Sequence, residues 1–223
     1  MESLGFQLPK AMFQVAGRPF LTYLLDYLIN IGFKKAVLLC GYRFISIQRY
    51  FGLSYRSLEI SYSIENYPQG TGGAIKYFLT TNPDLPKRLF IMNGDTLLSG
   101  RIEIPSELSR DKFHAFVTTN QTNDCRFDVF NVDSNDYLLN VDKNCSSRNS
   151  LIGLGIYMVD TESARRLVAE MDVPSNFEEE FFKRSKSFGG VKCVAFSGDF
   201  IDIGTPIDYH QSEDFINKYV GGA

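Results

Sequence analysis

Apolar and polar positions in the first half of the chain alternate between helix-like and strand-like spacing. Residues 36–40 are a continuous apolar run, typical of a strand buried on both faces of a parallel sheet. Further strands are predicted over 58–64 and 88–92, and helices over 44–51 and 72–79. A helix is also predicted over 19–31, where one stripe carries Phe20, Leu21, Leu24, Leu25, Leu28 and Ile31. This order indicates a wound α/β sheet with right-handed crossovers.

The pattern becomes richer in strands after Phe113. Strands are predicted over 115–117, 128–132, 137–141 and 151–158, and residues 132–137 have the composition of a hairpin turn. Helices follow over 161–171 and 176–186, then a strand over 191–196, and the last helix begins at Thr205-Pro206 with a threonine cap. We find no repeat or linker. We therefore predict one domain over 1–223, with a doubly wound, mostly parallel α/β sheet and a small strand-rich excursion.

Composition narrows the class of protein. The chain has 223 residues, of which 44% are hydrophobic and 22% charged, as in ordinary globular proteins. The net charge of −3 and the absence of a Lys/Arg cluster argue against a nucleic-acid partner. The sequence shows no signal pattern and no membrane-spanning run, so we expect a cytoplasmic protein without a membrane partner. Cys40 and Cys193 lie in apolar runs and are predicted to be reduced core residues.

Two aspartates follow apolar runs at positions where a sheet would end. Asp95 lies in Asn93-Gly94-Asp95-Thr96, and Asp202 precedes the helix that begins at Thr205. The carboxyl ends of parallel strands are where α/β folds bind ligands. If the two carboxylates converge, they suit a divalent metal used in phosphate chemistry. Each aspartate taken alone is better explained as a turn or cap residue.

A glycine-rich segment, residues 69–74, joins a predicted strand to a predicted helix. Its three glycines allow a backbone to pass close to a ligand, with the amino terminus of a helix behind it. A tight turn that needs positive φ explains the glycines as well. Lys10 and Lys143, taken singly, are better explained as solvated surface lysines.

Five segments in order resemble the sugar-phosphate nucleotidyltransferases, also called NDP-sugar pyrophosphorylases. They are residues 8–12, 15–21, 69–74, 93–96 and 200–206, and they extend from near the first residue almost to the last helix. The resemblance is to the short bacterial forms that act on mannoheptose 1-phosphate. Mannose-1-phosphate guanylyltransferases and muramic-acid-linked uridylyltransferases are also similar. The resemblance implies a Rossmann-like nucleotidyltransferase fold.

The resemblance also implies a reaction and its residues. A nucleotidyl group, with GMP from GTP favoured, would pass to a heptose- or mannose-type sugar 1-phosphate and release pyrophosphate, to make activated sugars for polysaccharides. Asp95 and Asp202 would hold Mg²⁺, and Lys10 would neutralise the triphosphate. The nucleotide-binding residues would be Gln69, Gly70, Thr71, Gly72, Gly73, Asn93 and Gly94. The residues that bind the sugar phosphate would be Lys143, Gly155 and Glu178. The oligomeric state is left open, with a homodimer as one option.

Three differences from the family leave alternatives open. Members begin with a buried strand and a glycine-rich loop ahead of the Leu8-Pro9-Lys10 segment, whereas this sequence starts Met1-Glu2-Ser3. In that form we expect the chain to be catalytically poor and less stable. The sugar-contacting segment reads Gly153-Leu154-Gly155 without an asparagine, and Arg126-Phe127-Asp128 replaces Arg-Tyr-Gly. A uridylyl or thymidylyl transferase is one alternative, and an inactive sugar-nucleotide-binding or regulatory homologue is another.

Overall fold

The structure is a computed structural model that describes residues 8–41, 43–105, 112–119, 127–142 and 151–219. The chain divides into two compact units. Unit 1 comprises Met1–Pro68, Gly94–Arg101 and Asp199–Ala223, and unit 2 comprises Gln69–Asn93 and Ile102–Gly198. The expectation of one domain over 1–223 stays a prediction.

The helices and strands follow one another along the chain with bounds close to those predicted. The first half contains β1 (Gln14–Val15), β2 (Arg18–Pro19), α1 (Phe20–Asn30), β3 (Lys35–Cys40), α2 (Phe44–Phe51), β4 (Ser54–Tyr55), β5 (Leu58–Ile64), α3 (Gly70–Thr81), β6 (Arg88–Met92) and β7 (Thr96–Leu98). The second half contains β8 (Phe113–Thr118), β9 (Val129–Val132), β10 (Leu138–Asp142), β11 (Leu151–Asp160), α4 (Thr161–Ala169), α5 (Phe177–Ser185), β12 (Lys192–Phe196), β13 (Phe200–Asp202) and α6 (Pro206–Tyr219).

Unit 1 contains one small sheet and two short ribbons. The sheet has the order β3-β5-β4, with β3 parallel and β4 antiparallel to β5. β1 pairs with β2 and β7 pairs with β13, both antiparallel. Helix α1 is more buried than its predicted stripe, because all residues from Phe20 to Tyr27 are buried. On its polar side, Asp26 Oδ2 accepts a hydrogen bond from Arg18 at 2.7 Å.

Strand β3 corrects one expectation from the sequence. The apolar run 36–40 was expected to be buried on both faces, but Val37 and Leu39 are 38% and 37% exposed. Among the described residues β3 pairs with β5 alone, so it lies at an edge of its sheet. Alternate side chains of a strand point to opposite faces, so the exposed pair marks one face that is left open.

Unit 2 contains a six-stranded mixed sheet with three helices. The strand order is β10-β9-β11-β8-β12, and β6 pairs with β11. β11 is antiparallel to β6, β8 and β9, whereas β12 is parallel to β8. Helices α3, α4 and α5 contribute to one apolar core with the sheet, in which the Phe113 and Phe181 rings meet edge to face at 5.1 Å. The antiparallel strands after Phe113 form the strand-rich part that the sequence indicates.

Two smaller expectations are resolved by the structure. The predicted hairpin turn joins β9 to β10, and Asp133 Oδ1 accepts hydrogen bonds from the backbone N–H groups of Asn135 and Tyr137. Cys40 and Cys193 are buried free thiols, and burial raises their pKa values to about 11 and about 12. They are therefore protonated core residues, as predicted. Among the described residues, none of the helices has the length and apolar character needed to cross a membrane.

Candidate active site

The β7–β13 ribbon of unit 1 brings Asp95 and Asp202 together. In its register Asp202 pairs with Thr96, the residue that follows Asp95. The Thr96 hydroxyl donates to Asp202 Oδ2 at 3.2 Å, and the backbone N–H of Ile203 donates to the carbonyl of Asp95 at 2.9 Å. Two aspartates that are more than a hundred residues apart in sequence are thus fixed side by side by backbone pairing.

Lys10 adds a positive charge to this pair. It begins a short 3-10 turn, Lys10–Met12, and its Nζ lies 3.9 Å from Asp95 Oδ2. The side chains of Lys10 and Asp95 are 47% and 29% exposed, so the ion pair contributes little to stability. An exposed, weakly held ammonium next to a carboxylate is available to a phosphate-bearing ligand.

Asp202 also braces a turn, the structural role that is the alternative to metal binding in the sequence analysis. Its Oδ1 accepts the backbone N–H of Gly204 at 2.8 Å and so braces the turn before α6. The predicted cap of that helix is present, because the backbone N–H of Asp208 donates to Thr205 Oγ1 at 3.3 Å. Both oxygens of the Asp202 carboxylate are therefore oriented by neighbouring donors, Oδ2 by the Thr96 hydroxyl and Oδ1 by the Gly204 N–H.

Oxygen atoms dominate the donor set of this part of unit 1. One or two carboxylates, completed by water and phosphate oxygens, form the ligand set that Mg²⁺ usually takes. No group of three or more His, Cys, Asp or Glu side chains suited to a metal occurs in the described parts of the chain. A cation bound by Asp95 and Asp202 would therefore depend on substrate oxygens for the rest of its coordination.

The glycine-rich segment forms the start of α3 in unit 2, and its glycines have a packing reason. Gln69 precedes the helix, and the N–H of Gly72 donates to the carbonyl of Ser175 at 2.9 Å. A Cβ at Gly72 would lie 2.4 Å from Ser175 Oγ, and a Cβ at Gly70 would lie 2.3 Å from Ser175 O. Thr71 Oγ1 accepts the backbone N–H of Phe177 at 2.9 Å. Close approach of the segment around Ser175 thus explains Gly70 and Gly72.

Asn93, Gly155 and Glu178 form a second cluster in unit 2. The backbone N–H of Asn93 donates to the carbonyl of Gly155 at 2.9 Å, and its Nδ2 donates to Glu178 Oε1 at 3.4 Å. Gly155 has a φ of +64°, and a Cβ there would lie 2.3 Å from Asn93 Nδ2. Gly155 therefore makes room for the Asn93 amide. Gly94 is exposed and belongs to unit 1, and Lys143 lies outside the described residues.

Electrostatics set Glu178 apart from the other acids. Burial raises the pKa of its carboxyl, hydrogen bonds from its own backbone and from Asn93 partly offset this, and the charges of Asp128 and Glu179 raise it further. Tyr157 is buried nearby, and burial raises the pKa of its hydroxyl well above the usual value. Unit 2 therefore contains a desolvated acid among acidic neighbours.

Sequence reasoning missed three features of these clusters. It gave no role to Ser175, it did not predict the contact of Asn93 with Glu178, and it noted Asp128 only as a difference from the family. Asn93 and Glu178 are 85 residues apart. Their contact depends on how β6 pairs with β11, and no local pattern reports that pairing. The one available signal was Asp128, an acid at the start of a strand.

An α/β fold that presents two carboxylates and a lysine on adjacent loops has the construction of an enzyme for phosphate chemistry. The sequence matches the family model for nucleotidyl transferases over residues 2–219. The chain therefore belongs to the nucleotidyl transferase family and is a nucleotidyltransferase, which confirms the resemblance found in the sequence.

Individual relatives cover almost the whole chain. It is 30% identical over 212 residues to a D-glycero-alpha-D-manno-heptose 1-phosphate guanylyltransferase of Campylobacter jejuni subsp. jejuni serotype O:2, covering 95% of this chain and 92% of that protein. It is also 30% identical over 237 residues to the enzyme of the same name from Aneurinibacillus thermoaerophilus, covering 99% and 94%. The inositol-1-phosphate CTP transferase from T. maritima superposes with a TM-score of 0.80 at 15% identity, covering 100% of this chain and 92% of that one. This likeness confirms the predicted fold class.

Proposed function

We propose that this protein transfers GMP from GTP to a sugar 1-phosphate of the mannoheptose type and releases pyrophosphate. The observation that carries the proposal is the β7–β13 pairing, which fixes Asp95 beside Asp202 with Lys10 3.9 Å from Asp95. The names of the two relatives at 30% identity support guanylyl transfer to a heptose 1-phosphate. Location in the cytoplasm and assembly as a homodimer stay predictions.

The chemistry requires charge neutralisation more than a reactive side chain. An oxygen of the sugar phosphate forms a bond to the α-phosphorus of the nucleotide, and the bond to the pyrophosphate breaks with the electron pair leaving on that group. The attacking oxygen is already anionic, so no side chain has to take its proton. Catalysis then rests on holding the reacting groups in line and on stabilising negative charge.

Each residue of the unit 1 cluster has a role in this scheme. Lys10 would place its ammonium against the phosphates, giving up a weak surface pair to do so. Asp95 and Asp202 would hold Mg²⁺, since this ion prefers carboxylate ligands, and the oxygens of Asp202 are braced by Thr96 and Gly204. When bound, Mg²⁺ would supply positive charge to the phosphate oxygens in the transition state.

The roles proposed for unit 2 are binding roles. Glu178 and the backbone at Gly155 would bind the sugar, and Lys143 would bind its phosphate. The half-buried Glu178 carboxylate is a strong acceptor for sugar hydroxyls, because a charged acceptor in a desolvated place forms stronger hydrogen bonds than one in water. Gln69 and Thr71, at the amino-terminal end of α3, would contact the nucleotide through their polar side chains, whereas packing against Ser175 explains Gly72.

Pyrophosphate release tests the proposal directly. The purified protein is incubated with GTP, Mg²⁺ and D-glycero-α-D-manno-heptose 1-phosphate, and pyrophosphate is converted to phosphate by pyrophosphatase and measured. We expect release that requires both substrates and stops when Mg²⁺ is chelated. Asp202→Asn is the matched inactive control.

Replacing one reactant at a time separates the alternatives. Faster release with UTP or dTTP than with GTP would contradict the guanylyl assignment and favour a uridylyl or thymidylyl transferase. Faster release with mannose 1-phosphate would change the sugar. Binding of a sugar nucleotide without any release of pyrophosphate would overturn the proposed reaction itself.

A further inference from the structure

Glu178 is a carboxylate in a place that disfavours its charge. It lies in the first turn of α5, whose cap Asn176 accepts the N–H of Glu179 at 3.0 Å. The amino terminus of a helix favours an acid there. Burial and the neighbouring charges of Asp128 and Glu179 act in the opposite direction. An acceptor for substrate hydroxyls has to stay ionised and correctly oriented, so Glu178 needs a donor nearby.

Asn93 is the side-chain donor that the structure provides. Its Nδ2 lies 3.4 Å from Glu178 Oε1, and it is the side chain whose hydrogen bond lowers the pKa of this acid. The contact is long for a hydrogen bond, and with the bond from the backbone of Glu178 it engages two of about four lone-pair positions of the carboxylate.

The backbone around Asn93 fixes its amide in this place. Asn93 directly follows β6, and its N–H donates to the carbonyl of Gly155 at 2.9 Å. Gly155 has positive φ, and any side chain there would strike the Asn93 amide, since a Cβ would lie 2.3 Å from Nδ2. The register of β11 on β8 also shifts between Gly153 and Tyr157. An irregular strand with a glycine at this point is what lets the amide reach Glu178.

We infer that Asn93 is the positioning residue of Glu178, holding its carboxylate oriented to accept hydroxyl groups of the sugar 1-phosphate. The inference deepens the proposed function and rests on it. It gives Asn93 a different role from the nucleotide contact that the sequence resemblance implies. The side chain acts through Glu178 and on the sugar, and has no direct part in nucleotide binding.

The test is the kinetic profile of Asn93→Ala. We expect the KM for the sugar 1-phosphate to rise roughly tenfold, the usual effect of losing a hydrogen bond to a charged group, while the KM for GTP is unchanged. Without the donor, the pKa of Glu178 rises further. The loss of sugar binding on acidification therefore begins at a higher pH than in the wild type. Asn82→Ala, which loses a hydrogen bond to the Phe78 carbonyl, is the control for an asparagine truncated elsewhere in unit 2.

Asp128→Asn supplies a second measurement that leaves Asn93 intact. Among the described residues, the groups that influence Glu178 are Asp128 just before β9, Tyr157 from β11, Asn93 just after β6 and Glu179 from its own helix. Removing the Asp128 charge lowers the pKa of Glu178, so the loss of sugar binding on acidification should begin at a lower pH than in the wild type. The double variant should fall between the two single ones. If Asn93→Ala does not fold, Asn93→Ser, which also lacks the amide donor, takes its place in both measurements.

The outcomes distinguish the inference from the proposed function. Asn93→Ala could raise the KM for GTP and leave the KM for the sugar 1-phosphate unchanged. That result would show that Asn93 contacts the nucleotide, and it would overturn the inference. If the wild type shows no turnover at all, the proposed function fails. The inference is then judged by NMR titration of the Glu178 carboxyl, whose pKa must rise in Asn93→Ala. An unchanged titration would overturn it.

Discussion

Replacing Gly72 by alanine separates the two explanations of the glycine-rich segment. The Cβ of the alanine would lie 2.4 Å from Ser175 Oγ, 2.7 Å from Met171 Cε and 3.1 Å from Ser175 O. Real Cβ atoms do not approach other atoms as closely as the first two distances. The helix would have to move away from the segment around Ser175, or Ser175 and Met171 would have to move. The hydrogen bond from Gly72 N–H to Ser175 O, 2.9 Å long, limits how far they can separate.

The magnitude follows from two opposing terms. Overpacking of a tight contact costs about 1–3 kcal/mol, whereas alanine in a helix gains about 0.5–1 kcal/mol over glycine. We expect Gly72→Ala to lower the free energy of unfolding by about 1–2 kcal/mol, which corresponds to a fall of about 2–8 °C in Tm for a chain of this size.

Ser175→Ala is the matched partner for a double-mutant cycle. Ser175 Oγ is buried without a hydrogen-bond partner among the described residues, so its removal alone should change stability by less than about 1 kcal/mol. In the double variant the closest remaining atom is the flexible end of Met171. We therefore expect the second substitution to restore most of the stability, giving a coupling energy of about 1 kcal/mol between positions 72 and 175.

Thermal unfolding with and without GTP and Mg²⁺ measures both the stability of a variant and its affinity for GTP. A ligand that binds only the native state raises Tm by mass action, so the increment caused by GTP reports affinity separately from the baseline. We expect a lower baseline and an unchanged GTP increment for Gly72→Ala. An unchanged baseline with a lost increment would show that Gly72 serves the nucleotide, and the packing explanation would be refuted.

Three further predictions concern the charges of unit 1 and the choice of nucleotide. Asp202→Asn should reduce pyrophosphate release by roughly 10²-fold or more with Tm nearly unchanged. Adding Asp95→Asn should reduce release little further, because both carboxylates would serve one ion. If the losses of the two variants multiply, the two aspartates do not share a cation. Lys10→Ala should raise the KM for GTP while changing stability by less than about 1 kcal/mol, because its ion pair is exposed. Unaltered kinetics would show that Lys10 is a solvated surface lysine without a role in GTP binding. GTP should raise Tm more than UTP, dTTP or CTP at equal concentration, and a larger shift with any pyrimidine nucleotide would contradict the guanylyl assignment.

Local patterns in the sequence predict most of the elements but not their neighbours. The bounds of α2, β5 and β6 agree with the predicted 44–51, 58–64 and 88–92, because the spacing of apolar residues is a local property. The burial of β3 was overestimated, because an apolar run does not reveal whether its strand lies inside a sheet or at an edge. The burial of the polar side of α1 was missed for a related reason, since it depends on Arg18 and Arg56 pairing with Asp26.

The sequence likewise predicts one part of the candidate site and not the other. The positions of Asp95 and Asp202 at strand ends follow from the chain itself, because turn composition marks where each apolar run stops. Their proximity depends on the antiparallel pairing of β7 with β13, which the sequence does not reveal. Gly70 and Gly72 show the converse case. The sequence identifies them as special, but the atoms that require glycine there belong to Ser175, about a hundred residues away.

The three residues 93–95 carry two different pairings. Asn93 donates to Glu178 in unit 2, and Asp95 faces Lys10 in unit 1. The first contact stabilises the charge of Glu178, which is partly desolvated. If Asn93 is lost, that charge is poorly compensated. The second is an exposed pair that a solvated ligand can replace with little cost to stability. Substitution at 93 should therefore change sugar affinity and its pH dependence, whereas substitution at 95 should change turnover. Effects that differ so sharply between positions two residues apart would separate binding from chemistry within a single loop.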